Sequence, residues 1–360
     1  MDLYDRSIEI ILENQTRGGA YPASPDFPTY RYAWFRDGSY IAYAMDLVGE
    51  HDSSRRFHQW AAAVINSRAD TVRRAAAKAE RCEPLTRADF LHTRYTTDGH
   101  EASGENWPDY QLDGFGTWLW SLNDHLQRTG GELDAEWHTA ANLVADYLTA
   151  LWAKPCYDCW EEFPDSVHTH TVAAIHGGLT AHQAIDGVSH HGTLASVSKF
   201  IATEARKNGH FVKFPGSDVV DASLLGLAVP YRVVDPDDPK MLGTVAQIEA
   251  TLRKGGGLHR YPTDTYYGGG EWLLLTCWLA WYYHERGAYD QAKTAIDWVE
   301  AHATEEGYLP EQVPENLNDP SCYKPWRQRW GAIASPLLWS HAMYLVCETL
   351  RRQASEQPKI

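Results

Sequence analysis

Positive charge is scarce in this chain of 360 residues. Lys and Arg total 32 against 48 Asp and Glu, which gives a formal net charge of −16 at pH 7. A surface of this sign repels phosphate backbones, so the composition argues against a nucleic acid partner. It also argues against acidic polysaccharides as substrates, because the enzymes that act on them usually need a basic cleft.

Long apolar runs are absent as well. No stretch of 18 apolar residues occurs, so the sequence predicts neither a membrane-spanning helix nor a membrane partner. Residues 1–6 contain no basic stretch followed by an apolar run, so we expect no signal peptide. If residue 1 is the natural start, a cytoplasmic protein is expected.

Cysteine is sparse and shows no disulfide framework. The spacing is scattered, which fits a reducing compartment, for all six cysteines: Cys82, Cys156, Cys159, Cys277, Cys322 and Cys347. Cys156 and Cys159 form a lone CxxC. A zinc site would need a second pair and a redox site a βαβ setting, so we expect a structural role for this pair.

Motifs for metals and phosphates are also missing. There is no HExxH, and no carboxylate completes a recognised ligand set with His168, His170, His190 or His191. Residues 255–257 and 268–270 are glycine triplets, but neither is followed by Lys-Ser or Lys-Thr at the spacing of a phosphate-binding loop. We therefore expect no metal and no cofactor.

Aromatic residues, in contrast, are abundant, with 15 Trp and 20 Tyr. The C–H face of a pyranose ring stacks on an aromatic side chain, so this composition is typical of a sugar site. A large aromatic core would account for any single tryptophan equally well.

Helical periodicity dominates the chain, and few segments alternate as strands do. About twelve helices are predicted, at 3–14, 38–49, 55–80, 111–128, 134–153, 171–187, 192–207, 221–228, 240–253, 271–286, 288–303 and 336–353. Between them lie long loops rich in Gly, Pro, aromatic and charged residues, such as 17–30, 154–168 and 305–335. We predict an all-α fold, a single (α/α)6 toroid over residues 1–360, with its pocket at one end.

Two loop glutamates have suitable neighbours for glycoside hydrolysis. This reaction needs a carboxylic acid to protonate the leaving oxygen and a second carboxylate to activate water or attack directly. Glu161 follows a tryptophan in Asp-Cys-Trp-Glu-Glu, and Glu311 lies in Gly-Tyr-Leu-Pro-Glu-Gln-Val. Apolar surroundings help such a group to keep its proton near neutral pH. The alternative for each glutamate is a solvated surface charge.

Other loops combine stacking rings with polar side chains. Residues 30–37 end in Arg36 and Asp37, a pair that can hydrogen-bond sugar hydroxyls, or that can cap the following helix. Residues 107–113 and 260–267 similarly mix tryptophan or tyrosine with amide, carboxylate and guanidinium groups.

Five of these motifs, in this order, resemble glycoside hydrolase family 15, the family of glucoamylases, glucodextranases and some trehalases. The resemblance runs from residue 30 to about 345. It implies that Glu161 is the general acid and Glu311 the general base. It further implies a substrate-binding set of Tyr30, Trp34, Arg36, Asp37, Trp107, Gln111, Asp158, Trp160, Glu162, Arg260, Asp264, Tyr266, Gln312 and Trp339.

The resemblance also implies an activity. An inverting enzyme would release β-glucose from the non-reducing end of a short α-glucoside, its two carboxyl groups roughly 6.5–9.5 Å apart. We expect an α-1,6 link as in isomaltose, then α-1,4, then trehalose. The segment between Glu311 and Trp339 is longer than in fungal members and would wall the aglycone side with Tyr323, Trp326, Arg327 and Trp330. Rival interpretations are a non-catalytic sugar-binding toroid and a toroid lyase or cyclase.

Overall fold

The computed structural model describes residues 2–102 and 107–356, which are helical through most of their length. The helices in these residues are α1 Leu3–Asn14, α2 Phe35–Leu47, α3 His51–Asn66, α4 Ala69–Glu80, α5 Asp113–Thr129, α6 Ala135–Leu151, α7 Thr169–Asp186, α8 His191–Thr203, α9 Pro239–Leu252, α10 Leu273–Glu285, α11 Tyr289–Ala301, α12 Pro320–Trp330 and α13 Leu338–Glu356.

Six helical segments form a closed inner ring. Going round the ring, α2 packs on α5, α5 on α7, α7 on a 3-10 helix at Ala222–Leu227, that helix on α10, α10 on α13, and α13 on α2. Helices α1, α3, α6, α8, α9 and α11 lie outside, and each precedes an inner segment along the chain. Helix α4 lies between α3 and α5, and α12 lies between α11 and α13. This is the predicted (α/α)6 toroid.

Helix α10 shows why an inner helix is buried, because it is apolar all round. Helix α10 reads Leu-Leu-Leu-Thr-Cys-Trp-Leu-Ala-Trp-Tyr-Tyr, and these eleven residues are all buried. A helix without a polar face has to be covered on every side. The outer α3 instead buries one stripe, which includes Phe57, Trp60, Ala61 and Val64, and exposes the other.

Two predicted helices differ from the structure. The predicted 55–80 helix is two helices, α3 and α4, because Arg68 leaves the helical region at φ −117° and ψ 19°. The predicted 221–228 helix is the short 3-10 helix at Ala222–Leu227, capped by the Asp221 side chain on the Ser223 N–H. Only eight residues separate Asp221 from Pro230, which has no N–H to continue a helix.

Two further boundaries bear on the site. The loop predicted at 305–335 contains α12, whose first residue is Pro320 and whose N-cap Asp319 accepts from the Ser321 N–H. Helix α2 begins at Phe35, so Arg36 and Asp37 lie inside its first turn. The helix-cap alternative for Asp37 is therefore wrong, since Trp34 occupies the N-cap position.

Short antiparallel strand pairs brace the loops. They are β1 Ala33–Trp34 with β2 Arg94–Tyr95, β3 Arg206–Lys207 with β4 His210–Phe211, and β5 Glu271–Trp272 with β6 Gln312–Val313. Strands β1 and β5 lead directly into α2 and α10. Short 3-10 helices at Pro28–Tyr30, Arg87–Asp89 and Tyr266–Gly268 complete the regular structure of the described residues.

All six cysteines are free thiols, as the scattered spacing predicts. Within residues 2–102 and 107–356, none of the helices combines the length and the apolar character that a membrane span requires.

Candidate active site

A cavity of about 670 Å³ opens among the loops that precede α2, α7, α10 and α13. This size is suitable for a small ligand such as a disaccharide. Twelve of the sixteen predicted site residues line it: Tyr30, Trp34, Arg36, Asp37, Trp107, Trp160, Glu161, Glu162, Arg260, Tyr266, Glu311 and Trp339.

Glu161 lies at the tip of a tight loop before α7. The Asp158 carboxylate fixes this loop by accepting from the backbone N–H groups of Trp160 at 3.0 Å and Glu162 at 2.8 Å. Glu161 has a φ of 67°, in the left-handed region, which is uncommon for a residue with a side chain and common at functional sites. The Trp34 indole N–H donates to Glu161 Oε1 at 2.6 Å.

Burial raises the pKa of Glu161 to about 7, and Arg36 opposes the shift. A carboxyl group with this pKa is still largely protonated at pH 6, unlike an ordinary glutamate. It therefore meets the requirement for a general acid in a neutral compartment.

Glu311 is placed between Pro310 and strand β6. Its backbone N–H donates to the Ala334 carbonyl at 2.9 Å, which ties the loop to the segment before α13. The residue is 3% exposed, and its Oε2 has no hydrogen-bond partner among the described residues. Burial raises the pKa of Glu311 to about 8, opposed mainly by the positive charge of Arg260.

Tyr30 lies close to both glutamates. Burial raises the pKa of its hydroxyl, and the negative charges of Glu311 and Glu161 both add to the effect. The Tyr30 and Tyr266 hydroxyls are 2.8 Å apart, so each is oriented by the other. The cavity thus brings two carboxyl groups together around a tyrosine pair.

The floor of the cavity carries Arg36 and Asp37 from the first turn of α2. Arg36 donates to Gln111 Oε1 at 3.1 Å and to Asp113 at 3.3 Å, and its Nη2 lies 3.5 Å from Asp37 Oδ2. Arg36 Nε has no hydrogen-bond partner among the described residues, and the guanidinium lies 5.4 Å from the ring centre of Trp339. Burial raises the pKa of Asp37 to about 6, and Arg36 opposes it.

A second buried arginine stands on the wall formed by residues 260–272. Arg260 makes two hydrogen bonds to Asp264, from Nε at 2.8 Å and from Nη2 at 2.5 Å. Its guanidinium lies 5.5 Å from the ring centre of Trp160 and 5.1 Å from that of Trp272. The fork therefore keeps a fixed direction, with its charge balanced by a buried carboxylate.

Four predicted site residues do not line the cavity: Gln111, Asp158, Asp264 and Gln312. The structure places each of them one layer behind the wall. Gln312 Oε1 accepts from the Gly270 N–H at 2.8 Å, and Gln111 donates to the Asp158 carbonyl at 2.6 Å. Direct contact with a sugar is therefore not expected of these four side chains.

Sequence reasoning missed an ion-pair network behind Glu161. Lys213 is 4% exposed, and its ammonium group lies 2.7 Å from Asp158 Oδ2 and 2.5 Å from Asp221 Oδ2. Asp221 also accepts from the Trp160 indole N–H at 3.0 Å. Asp158 lies more than 50 positions before Lys213 and Asp221, and the three residues belong to no local motif, so only the folded structure joins them.

Helix α12 forms part of the mouth. Trp326, Arg329 and Trp330 line the cavity, and the Trp326 ring lies 5.0 Å from that of Tyr266. Of the four residues that the sequence predicted here, Trp326 and Trp330 line the cavity, but Tyr323 and Arg327 do not. The sequence missed Arg329, which lies on the same helix one turn after Trp326. The remaining lining residues that sequence reasoning missed are Ala23, Phe27, Thr29, Pro108, Cys159, Thr265, Trp272 and Leu337.

The histidines weighed as metal ligands do not converge. His168 Nε2 bonds the Phe163 carbonyl and His170 Nδ1 the Ser223 carbonyl, each at 2.9 Å. His190 pairs with His182 at 2.8 Å. These histidines therefore make ordinary hydrogen bonds within the fold.

A helical toroid whose cavity gathers two buried carboxyl groups, two buried arginines and several tryptophans defines the class: it is a glycoside hydrolase. Residues 1–294 match the model of Glycosyl hydrolases family 15, and the chain belongs to this family.

Relatives agree with this assignment. Isomaltose glucohydrolase of Kribbella flavida is 40% identical, over 96% of this chain and 91% of that protein. The solved structure of a wild-type glycosidase superposes with a TM-score of 0.92 at 39% identity, covering 97% of this chain and 96% of the other. Glucoamylase from Saccharomycopsis fibuligera, at 14% identity and a TM-score of 0.72, covers 99% and 96% and shows the shared fold.

Proposed function

We propose that this enzyme is an inverting, exo-acting α-glucosidase that releases β-glucose from the non-reducing end of isomaltose and short isomalto-oligosaccharides. The observation that carries the substrate is the 40% identity to an isomaltose glucohydrolase over nearly the whole of both chains. Conversion of α-1,4 links or of trehalose is the alternative, since the residues proposed to hold the terminal glucose do not by themselves select the link.

In the proposed mechanism Glu161 protonates the glycosidic oxygen, while Glu311 takes a proton from a water that attacks the anomeric carbon from the opposite face. Glu161 suits the acid role because burial raises its pKa to about 7, so about half of the molecules carry a proton on this carboxyl at pH 7, far more than for an ordinary glutamate. Glu311 suits the base role because a carboxylate with a pKa of about 8 accepts a proton more readily than an ordinary one.

The ionised form of Glu311 needs support, because burial alone favours the neutral form. Arg260 supplies a positive charge that stabilises it, and the Tyr30 hydroxyl can donate to it. Tyr30 is held for this task by Tyr266. We propose that this pair orients both the base and the attacking water.

The glucose ring would be held from below and from one side. Arg36 and Asp37 line the floor of the cavity and would offer a guanidinium donor and a carboxylate acceptor to the sugar, and Arg260 would add a donor on the wall. Trp34, Trp107 and Trp160 supply the stacking surface. The leaving sugar would rest against Trp326, Arg329 and Trp330 of α12 at the mouth.

We further propose that residues 1–360 act as one (α/α)6 domain, in the cytoplasm, on small saccharides rather than polymers or nucleic acids. Six free thiols, four of them buried, support a reducing compartment. The net charge of −16 supports the exclusion of nucleic acids.

Proton NMR of the enzyme with isomaltose tests the proposal, with the anomeric region followed from the first minutes. Early β-glucose that mutarotates later to the α form is the expected result. Early α-glucose would mean retention and remove Glu311 from the base role. Glucose binding without turnover of isomaltose, maltose or trehalose would favour a non-catalytic toroid.

The ranking of links is tested by kcat/KM on the same three disaccharides. Isomaltose is expected to be first, with maltose second and trehalose third. A ranking with isomaltose last would overturn the assignment of the link while leaving the class and the stereochemistry standing.

A further inference from the structure

A buried group of two histidines and one aspartate lies well away from the cavity. Asp46 is in the last turn of α2, His58 is in α3 and His125 is near the end of α5, and their ligand atoms lie within 4.8 Å of one another. Asp46 follows Asp37 by nine residues, which is about 13 Å along the helix. The group is therefore at the opposite end of the barrel from the active site.

The Asp46 carboxylate is fixed on three sides. The Ser54 hydroxyl donates to Oδ2 at 2.6 Å, His51 Nδ1 lies 2.8 Å from Oδ1, and His125 Nδ1 lies 3.0 Å from both oxygens. The aspartate is thus held in one orientation by its neighbours.

His58 has no comparable arrangement. It is fully buried, and neither ring nitrogen has a hydrogen-bond partner among the described residues. A neutral imidazole carries one donor and one acceptor, and leaving both unpaired in a core is costly. Its ring lies 5.2 Å from that of His125 and 6.0 Å from that of Trp137, so apolar atoms exclude water around it.

We propose that Asp46, His58 and His125 bind one divalent transition metal ion, with Zn²⁺ the best fit. Two imidazole nitrogens and a carboxylate oxygen are donors that zinc takes in proteins, with a water available as the fourth ligand.

The spacing of the three groups is compatible with this role. The 3.0 Å between His125 and Asp46 is close to the edge of about 3.3 Å between neighbouring ligands of a tetrahedral zinc ion with arms of 2.0–2.1 Å. Since the ligand atoms of all three residues lie within 4.8 Å of one another, a movement of His58 by up to about 1.5 Å brings the third ligand in. His125 then coordinates through Nδ1 and carries its proton on Nε2, while Ser54 and His51 continue to orient the carboxylate.

The consequence of this site would be stability, because the ion would join α2, α3 and α5 at the end of the barrel that the catalytic loops do not brace. A ligand that binds the folded chain and not the unfolded chain raises the midpoint of thermal unfolding, by an amount that grows with the logarithm of its concentration relative to its Kd. Hydrolysis would not require the ion.

A second histidine cluster provides the matched control. His138 lies 2.8 Å from Asp186, and His182 lies 2.8 Å from His190, in a partly exposed position between α6, α7 and α8. Adventitious zinc would bind there first. His190→Gln disrupts that cluster, whereas His58→Phe removes the proposed site, fills a similar volume and leaves no unpaired nitrogen.

The experiment is metal analysis of the full-length enzyme, expressed with added zinc and desalted. We expect about one zinc per chain in the wild type and in His190→Gln, and less than about 0.1 in His58→Phe. After removal of the metal, added Zn²⁺ should raise the unfolding temperature of the wild type by several degrees and leave that of His58→Phe unchanged. Added Co²⁺ should give the visible bands of a four-coordinate site in the wild type and in His190→Gln but not in His58→Phe.

Three results would overturn the proposal. A wild type that lacks metal and whose unfolding temperature ignores excess Zn²⁺ leaves His58 as a neutral core histidine. Zinc retained in His58→Phe places the ion elsewhere. Zinc lost in His190→Gln assigns it to the partly exposed cluster.

Discussion

Replacing the two glutamates separately should divide the reaction into its acid and base halves. Glu161→Gln keeps the shape of the side chain and its contact with Trp34 but cannot give up a proton. General acid catalysis contributes about 10²–10⁴-fold, so kcat on isomaltose should fall by about 10³-fold, which is about 4 kcal/mol of barrier. Glu311→Gln should lose at least as much, because no other carboxylate in the described cavity is placed beside Tyr30 and Arg260.

The assay that separates the roles uses α-glucosyl fluoride, whose leaving group departs as a weakly basic anion and needs no proton. Since only the acid becomes dispensable, Glu161→Gln should keep this activity within about tenfold of the wild type. Glu311→Gln should stay inactive on it. Glu311→Ala leaves space for a small anion, so added azide should restore turnover and give β-glucosyl azide.

The opposite pattern would refute the assignment. If Glu311→Gln hydrolysed the fluoride and Glu161→Gln did not, the two roles would be exchanged. If both variants kept isomaltose activity near that of the wild type, neither carboxyl would be catalytic. Glu315→Gln is the matched control, since Glu315 is an exposed glutamate four residues from Glu311, and it should behave as the wild type does.

Four other outcomes are expected. The profile of kcat/KM against pH should be bell-shaped, with its maximum between about pH 7 and 8. It should rise as the Glu311 carboxyl ionises and fall as the Glu161 carboxyl ionises. A maximum near pH 4 would contradict the argument that burial raises both pKa values. Glu311→Gln should unfold at a higher temperature than the wild type. Because the pKa of Glu311 is raised in the folded state, its ionisation lowers the free energy of unfolding by up to about 4–5 kcal/mol as the pH increases from about 4.5 to 8. Thermal scans should therefore show a larger difference in unfolding temperature between the two proteins at pH 8 than at pH 5, and an equal difference would contradict this reasoning. Tyr266→Phe removes the hydrogen bond that orients Tyr30 and should lower kcat by about tenfold with little change in KM. A kcat equal to that of the wild type would mean that Tyr30 keeps its position without this hydrogen bond. Arg329→Ala should lower kcat/KM about tenfold on isomaltose but not on glucosyl fluoride, while Arg327→Ala, an exposed arginine of the same helix outside the cavity lining, should change neither.

The parts of the site that sequence predicted are those coded within one loop. Arg36 and Asp37 are adjacent in the first turn of α2, and Arg260 and Tyr266 lie six residues apart in the loop before α10, so in each case a local motif contains both the chemistry and its position. For Asp158 and Asp264 the sequence predicted the right loops, but it also predicted direct contact with the sugar, whereas both side chains lie behind the cavity wall. A motif indicates that a polar side chain is needed at a position. Whether that side chain contacts the sugar or instead hydrogen-bonds a neighbouring residue depends on how deeply the loop is buried in the fold.

The parts that sequence missed depend on distant pairs or on local competition. Lys213 joins Asp158 to Asp221 across loops that precede different inner segments, and no periodicity connects these positions. Helix α12 carries Pro325 and no buried residue, so its pattern resembles a loop, and it folds as a helix against the 3-10 turn at Tyr266–Gly268. The Ala222–Leu227 segment is apolar enough for an inner helix but too short between Asp221 and Pro230 to form an α-helix.

The architecture explains why one end of the barrel carries the chemistry. The inner α-helices all begin at that end, preceded by Trp34, Leu112, His168, Trp272 and Leu337. Their N-terminal ends carry partial positive charge, which favours carboxylates in the loops above them. Glu161, Glu311 and Asp37 nevertheless have raised pKa values, because burial under the tryptophan-rich wall outweighs the helix ends and both arginines. The same burial that gives a glutamate its catalytic proton therefore works against folding, and the closed helical ring has to supply the stability that the site removes.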